Sequence, residues 1–332
     1  MNVAVVILNW NGKELLAQFL PSVIQFSESE ATIYVADNAS TDDSVAFVKS
    51  QFPSVKIIQN STNGGYAKGY NDVLKSLSEE IFVLLNSDVE VTKHWLTPII
   101  SEFKKDLNLV AAQPKILDYK NKQYFEYAGA AGGFLDQLGY PFCRGRIFDS
   151  IEKDQGQYND SIEIFWATGA CLFVRKTAFN KAEGFDEDFF AHQEEIDLCW
   201  RLKSVGGIIK YIGNSTVFHV GGATLSAANS QKTFFNFRNT LLILLKNVAG
   251  AKVWFLIFIR LVLDGLAGIQ FLFQGKWRHT LAIIKAHFSF YWLTPRFLQK
   301  RKKNDSKIKY YLTKSIVLGY YLRKNRIFKD LN

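Results

Sequence analysis

Two stretches of this sequence deliver acids where apolar runs end. In Phe189-Phe190-Ala191-His192-Gln193-Glu194-Glu195-Ile196-Asp197, three carboxylates fall within four positions. Acids at a helix start complement the helix dipole. The flanking Phe189, Phe190, Ile196, Leu198 and Trp200 instead suggest a partly buried rim, where a carboxylate can work as a general base. The stretch IFVLLNSDVEV, residues 81–91, runs five apolar residues into Asp88 and Glu90. A carboxylate near a diphosphate is useful only if a divalent cation separates the two anions, so Asp88 points to Mg²⁺ or Mn²⁺.

Other positions carry weaker signals. His219 ends the run Thr216-Val217-Phe218 ahead of Gly221 and Gly222, and is either a structural histidine or a metal ligand through its neutral imidazole. Asp37 closes a second apolar run and can meet a nucleotide from another side. In Asn63-Gly64-Gly65-Tyr66-Ala67-Lys68-Gly69, which fits neither GxGxxG nor GxxxxGK[ST], two glycines allow close backbone approach to a ligand and Lys68 can reach its phosphates. A plain glycine turn would look the same.

These residues need elements to hold them. Val3 to Leu8, Thr32 to Ala36, Val55 to Ile58 and Ile81 to Leu85 read as strands. Between them Lys13 to Phe26, Asp42 to Gln51 and Tyr66 to Leu77 have helical spacing. This βαβαβαβ order implies a mostly parallel sheet covered by helices on both faces. Ligands then bind beyond the carboxyl ends of the strands. Those ends are Asn9-Trp10-Asn11-Gly12, Asp37 to Ser40, Asn60 to Gly65 and Asn86 to Asp88, all polar. Further on, Ile164 to Arg175 forms one element, Glu194 to Ser204 a helix, and Ile208 to Ile212 and Thr216 to Val220 two strands.

The 332-residue chain is 48% hydrophobic, enough for one large core with an appended module. Its net charge of +9 is uneven, because residues 294–332 hold twelve Lys or Arg against Asp305 and Asp330. Such a tail attracts polyanions, either nucleic acid or an anionic membrane face, unless it is merely solubilising. Cys143, Cys171 and Cys199 are too far apart for a zinc ribbon or a disulfide framework, which suits a reducing compartment. The start MNVAVVILNWNG lacks a basic n-region and reads as a strand. Val253 to Phe273 is the longest apolar run, but Arg260 and Asp264 lie on one helical face within it. A charge at mid-bilayer costs roughly 2.5 to 3.5 kcal/mol, so a helix in the membrane interface or packed on the domain is favoured over a span.

Together VILNWNG, DNASTDDS, NGGYAKGYN, LLNSDVEV, WATGACLFVRK, FFAHQEEIDLCWRL and FHVGG resemble family 2 glycosyltransferases of the rhamnosyltransferase-like branch, in consistent order over residues 1–240. The resemblance implies an α/β fold of the GT-A type used by nucleotide-diphospho-sugar transferases. It also implies transfer of a sugar, with inversion, from a nucleotide-diphosphate donor to an acceptor hydroxyl. Asn9, Trp10 and Asp37 would border base and ribose, with Asn63, Gly64 and Lys68 lining the same pocket. Asn86-Ser87-Asp88 occupies the place of an Asp-X-Asp metal motif, leaving Asp88 as its one carboxylate, with His219 beside the metal. Glu90 falls outside the motif. Glu195 is the implied base, with Glu194 or Asp197 as alternatives. Trp166, Gly169, Asp197 and Arg238 fall on the acceptor side. The expected division is a catalytic domain over 1–240 and an aromatic, basic helical region over 241–332. That region suggests a glycan or lipid-linked acceptor on an anionic membrane surface, a peripheral position on the cytoplasmic face, and no nucleic acid. The rival readings are a sugar nucleotidyltransferase, although the exit of the first strand offers only one glycine and one lysine, and a noncatalytic nucleotide-binding membrane scaffold.

Overall fold

The computed structural model describes residues 1–221, 229–301 and 308–331. Gly222 of the FHVGG motif and Lys302, Lys303 and Lys307 of the basic tail lie outside the described residues.

Strands β1 (Val3–Asn9), β2 (Thr32–Asp37), β3 (Lys56–Gln59) and β4 (Ile81–Asn86) alternate with helices α1 (Lys13–Ser27), α2 (Ser44–Gln51) and α3 (Gly65–Leu74). Then come β5 (Val89–Val91), α4 (Thr97–Lys105) and the long β6 (Leu109–Asp118). A small antiparallel sheet follows, made of β7 (Gly133–Leu135), β8 (Pro141–Cys143), β9 (Arg146–Ile147) and β10 (Ser150–Ile151). Strands β11 (Ser161–Glu163), β12 (Cys171–Arg175) and β13 (Ile208–His219) complete the main sheet, and α5 (Lys176–Lys181) and α6 (Glu194–Ser204) lie between the last two. The chain ends in α7 (Ser230–Asn247), α8 (Lys252–Phe273), α9 (Trp277–Arg301) and α10 (Ile316–Tyr321).

The main sheet runs β11-β13-β6-β12-β4-β1-β2-β3, with β5 paired to β13. Pairing is parallel between β4 and β1, β1 and β2, β2 and β3, and β6 and β13, while β12 runs antiparallel between β4 and β6. The architecture is therefore the mostly parallel α/β sheet that the alternating pattern implies. The apolar runs are unbroken because both faces are covered. Ala4, Val6, Phe82 and Leu84 enter one core, and Val3, Val5, Ile7, Ile81, Val83 and Leu85 enter the other. Period-two alternation is present in these strands but invisible in their composition.

Register then decides what meets beyond the sheet. Asn9 pairs with Asp37, and Leu8 with Asn86, so three polar exits lie side by side. On the other side β13 reaches the same edge, with His219 opposite Val89 and Val220 N–H donating to the Asp88 carbonyl at 3.1 Å.

Several expectations need correcting. The two strands expected at 208–212 and 216–220 are one, because β13 continues past a register shift between Ile212 and Thr216 and stays paired with β6. Of the element expected over 164–175 only Cys171–Arg175 is strand. Residues 294–301 of the basic segment belong to α9, which runs on through Pro295. The expected domain division at 240/241 falls inside α7.

In α8, Arg260 and Asp264 do share a face, and it is the buried one. Arg260 donates to the Leu138 carbonyl at 3.2 Å and to Asp264 at 3.3 Å, and lies 3.7 Å from the Tyr140 ring centroid. The opposite face carries Trp254, Phe255, Phe258, Val262, Leu266 and Ile269, all exposed.

Candidate active site

The first two strand exits are sewn together by side chains. Asn9, fully buried, donates to Asp37 Oδ1 at 3.1 Å and to Ser40 Oγ at 3.2 Å, and Ser40 N–H donates to Asp37 Oδ2 at 3.0 Å. Asn11 accepts from Thr41 N–H at 2.7 Å. Trp10 projects from this platform half exposed, an aromatic face free for stacking. Asn9 Oδ1 is buried with no partner among the described residues.

The NGGYAKG turn is tied to its surroundings by side chains and backbone. Asn63 Oδ1 accepts from Asn38 Nδ2 at 2.9 Å and from Gly65 N–H at 3.0 Å, so it ties the turn to β2. Lys68 pairs at 2.6 Å with Asp72 on its own helix and packs over Gly64. Asn63 and Lys68 both remain partly exposed at the mouth of the turn, Lys68 with 41% of its side chain. Gly65, at φ +76°, is required, since a Cβ there would stand 2.6 Å from the Phe190 carbonyl. Tyr66 N–H donates to that same carbonyl at 2.9 Å, so the turn is seated against the loop that precedes Glu194.

Asp88 and His219 meet as expected. His219 Nε2 lies 3.1 Å from Asp88 Oδ1 and 3.4 Å from Asn86 Nδ2, with the imidazole and the carboxylate both buried. A third group escaped sequence reading. Glu126, in a loop folded back along β6, places Oε1 3.5 Å from His219 Nδ1 and accepts from Ala128 N–H at 2.5 Å. Burial alone would lower the histidine, but hydrogen bonds to Asp88 and Glu126 outweigh it and raise His219 to about 10. An imidazolium thus supplies the positive charge between two buried carboxylates.

The donor set suits a divalent cation held by few protein atoms. A divalent cation there would displace the imidazolium proton, leaving Asp88 and neutral His219 to offer one oxygen and one nitrogen while Glu126 orients the ring from behind. No cluster of three or more His, Cys, Asp or Glu side chains placed to hold a metal ion occurs among the described residues. Any further ligands would come from phosphate and water.

The acid pair sits at the end of a strained loop. Phe190, His192 and Gln193 all have positive φ, at 64°, 68° and 71°. For such residues this conformation costs roughly 1–3 kcal/mol each and persists only where surroundings enforce it. Helix α7 enforces it. Asn239 donates from Nδ2 to the carbonyls of Phe189, Ala191 and His192 at 3.2, 3.0 and 2.7 Å. Arg238 donates to the carbonyls of Asp188 and Phe189 at 3.1 and 2.9 Å, and Thr240 Oγ1 donates to Gln193 Oε1 at 3.0 Å. Arg238, expected on the acceptor side, thus braces the loop, and burial pulls its guanidinium down to about 10.

The three acids of the cluster have separate fates. Asp197 is fully buried and neutralised, with Lys246 Nζ and Arg201 Nε each 2.8 Å from Oδ2 and Asn247 Nδ2 2.9 Å from Oδ1. Burial opposes its ionisation, yet Lys246 and Arg201 hold it far below the usual range. Asp197 is therefore a structural anchor, which corrects its candidacy as base or acceptor contact. Lys246 also binds Asp186 at 2.7 Å, and Lys300 of α9 binds Asp186 and Asp188 at 2.5 and 2.6 Å. Glu194 and Glu195 have no cation partner among the described residues. Burial, then the neighbouring Glu195, push Glu194 well above the ordinary range. Burial raises Glu195 to about 7, with backbone hydrogen bonding at Glu195, Gln193 and Ile196 acting against it. Glu195 is the more accessible of the two.

The segment 166–170 connects the two centres. Asn86 N–H donates to the Ala170 carbonyl at 3.0 Å, and Tyr66 O–H to the Gly169 carbonyl at 2.8 Å. Tyr66 in turn feels both Glu194 and Glu195, which with burial push its phenol well up. Trp166 is a wall: its Nε1 donates to the Phe134 carbonyl at 3.0 Å, and its ring lies where a Gly133 side chain would stand.

The mostly parallel sheet, with a carboxylate–imidazole pair at its carboxyl edge, has the GT-A architecture of the solved structures it resembles. The family model for "Glycosyl transferase family 2" matches residues 4–182. The chain belongs to glycosyltransferase family 2 and is an enzyme of that class, which sets aside the nucleotidyltransferase and scaffold readings. It is 25% identical over 219 residues to the Mycobacterium tuberculosis N-acetylglucosaminyl-diphospho-decaprenol L-rhamnosyltransferase, covering 61% of this chain and 71% of that one. Residues 1–349 of TarS from S. aureus share the fold with a TM-score of 0.54 at 14% identity, over 99% of this chain and 93% of that one. GalNAc-T7, solved with UDP, GalNAc and Mn²⁺, gives a TM-score of 0.59 at 16% identity, over 74% of this chain and about half (48%) of that chain.

Asn239→Ala removes three carbonyl contacts from the loop at once. Its thermal midpoint should fall, and turnover should drop by roughly 10²-fold, the effect of about 1 Å of misplacement, with nucleotide binding unchanged. Steady-state kinetics beside calorimetric nucleotide titration checks this; wild-type turnover would refute the bracing role.

Proposed function

We propose that this glycosyltransferase transfers a sugar from a nucleotide-diphosphate donor to an acceptor hydroxyl with inversion, in the assembly of a surface glycan on a lipid carrier. The observation that carries the mechanism is Glu195: a half-buried carboxylate with no cation partner among the described residues, raised to about 7 beside a partner acid that keeps its proton. Asn9, Trp10 and Asp37 hold the base and ribose, and Asn86 and Asp88 face the diphosphate. Asp88 and His219 would hold a divalent cation, which when bound offsets the charge growing on the departing diphosphate. The Mn²⁺ in the GalNAc-T7 structure supports this assignment.

The proton then has one acceptor. Ionised Glu195 takes it from the attacking hydroxyl as the new C–O bond forms on the face opposite the diphosphate. The old C–O bond breaks and its electron pair leaves with the nucleoside diphosphate. Glu194, kept protonated by burial and by its neighbour, lets Glu195 carry the single charge of the pair.

Glu195 must be ionised, so turnover should rise with pH to a plateau above about 7 and fall about tenfold per unit below it. Glu195→Gln should keep nucleotide binding and lose roughly 10² to 10⁴ in rate, while Asp88→Ala should abolish the response to added Mn²⁺. Release of nucleoside diphosphate from a panel of nucleotide sugars is the assay. Near-normal turnover in Glu195→Gln, or an unchanged metal titration in Asp88→Ala, would overturn the respective role.

The region 241–332 is proposed to rest on the cytoplasmic face of an anionic membrane. Helix α8 is long and apolar enough to cross one, with mean hydropathy 1.9, yet its paired Arg260 and Asp264 face the protein and its outer face is free. An apolar, aromatic face beside basic residues suits in-plane insertion. The carrier lipid named for the mycobacterial relative supports a lipid-linked acceptor here. The protein should float with phosphatidylglycerol vesicles, and Phe255→Glu with Phe258→Glu should abolish flotation. Wild-type protein that ignores such vesicles would refute this.

A further inference from the structure

Most buried cations among the described residues are paired with carboxylates, and Arg238 is spent on backbone carbonyls. Arg144 meets Asp160 at 2.6 Å, Lys115 meets Asp154 at 2.8 Å, and Lys246 meets Asp186 and Asp197. Arg146 is an exception. It is 6% exposed, donates from Nε to the Tyr127 carbonyl at 2.8 Å, and has only the Cys143 thiol, 3.9 Å away, near Nη2. Among the described residues no carboxylate lies within ion-pair distance of it. A second cation shares its place. The Tyr127 ring centroid is 4.3 Å from the Arg146 guanidinium and 6.0 Å from Lys232 Nζ, on the first turn of α7. Lys232 is half-buried and equally without an ion-pair partner among the described residues. The charge that favours Lys232 is that of Glu126, a carboxylate already engaged by His219, so Arg146 and Lys232 together face one carboxylate that is in use, and a further anion would relieve them.

The position selects the anion. Tyr127 follows Glu126, the residue behind His219, so the two cations border the reaction centre, but on elements other than the strand exits that form the nucleotide platform. The residue after Lys232 leads to the apolar helices: Thr233 Oγ1 and His279 Nδ1 are 2.8 Å apart, joining the start of α7 to the start of α9. Beside that contact Phe273 and Trp277, at the turn between α8 and α9, are 89% and 54% exposed. A lipid chain lying along these rings would bring its head group to Lys232.

We propose that Arg146 and Lys232 form a phosphate-binding subsite for the diphosphate of a lipid-linked acceptor, distinct from the site of the donor diphosphate. This rests on the transferase reading above, and names which part of the acceptor is recognised. The fork of Arg146 and the point charge of Lys232 grip phosphate oxygens, and the sugar beyond them extends toward Glu195.

The test is calorimetric titration of the full chain with farnesyl diphosphate, a sugar-free lipid diphosphate, with and without a saturating nucleoside diphosphate and Mg²⁺. Farnesyl diphosphate should bind in both conditions, and Lys232→Ala and Arg146→Gln should each weaken it about tenfold or more while leaving nucleoside diphosphate affinity intact. That intact affinity also reports folding, and Lys232→Ala, at a half-buried site, covers the case in which the arginine variant does not fold. Displacement of farnesyl diphosphate by the nucleoside diphosphate would assign the cations to the donor, and undiminished binding by both variants would remove them from any phosphate site. Either result overturns the proposal. A chain that binds no nucleoside diphosphate at all would instead count against the transferase mechanism.

Discussion

The mechanism proposed for this protein depends on keeping two carboxylates partly out of water with no cation partner among the described residues. Glu194 and Glu195 begin α6, the helix that carries Arg201, and Lys246 and Arg238 of α7 engage the same helix and the loop before it. Each of these cations is engaged elsewhere. Asp197, together with Asp186, saturates Lys246 and Arg201. Arg238 is turned to backbone carbonyls instead. The same α7 residues that hold Arg238 and Asn239 against the loop impose its left-handed conformation, so strain and acid activation have one structural cause. Stability is lost in exchange: a carboxyl raised in the fold binds its proton more tightly there than in the unfolded chain, so stability falls as pH rises from the unfolded value toward about 7.

The sheet performs the complementary task. Register brings Asn9, Asp37 and Asn86 together from β1, β2 and β4, and β13 carries His219 to Asp88 from the far half of the sheet. The Asp88–His219 centre is built on strands and the acid pair on the start of α6, and the contacts of Gly169 and Ala170 join the segment between them to both sides. A rigid platform of this kind suits a reaction whose catalysis rests on placement and charge.

Much of this was legible in the sequence, for particular reasons. Apolar runs buried on both faces announce central strands, and Asp88 and Glu195 stand out because acids follow such runs directly. Arg238 and Asp197 were legible as polar residues in the right segments, but their contacts were not, because each is engaged by a partner that only folding brings near. Glu126 and Asn239 left no signal. One is a lone acid in a loop folded back along β6, and the other acts through backbone carbonyls of residues about fifty positions earlier. The strands of the small sheet are two or three residues long, too short to show a period. Arg146 and Lys232 were equally silent, since a missing counterion is a property of the fold.

The account stands on the ionisation of one side chain, which can be observed without substrate. In protein carrying ¹³C at the glutamate side-chain carboxyls, the resonance that disappears in Glu195→Gln should titrate near 7, where an ordinary glutamate titrates near 4.3. A midpoint in the ordinary range would mean that the carboxylate is solvated or paired, and would contradict the assignment of Glu195 as the base.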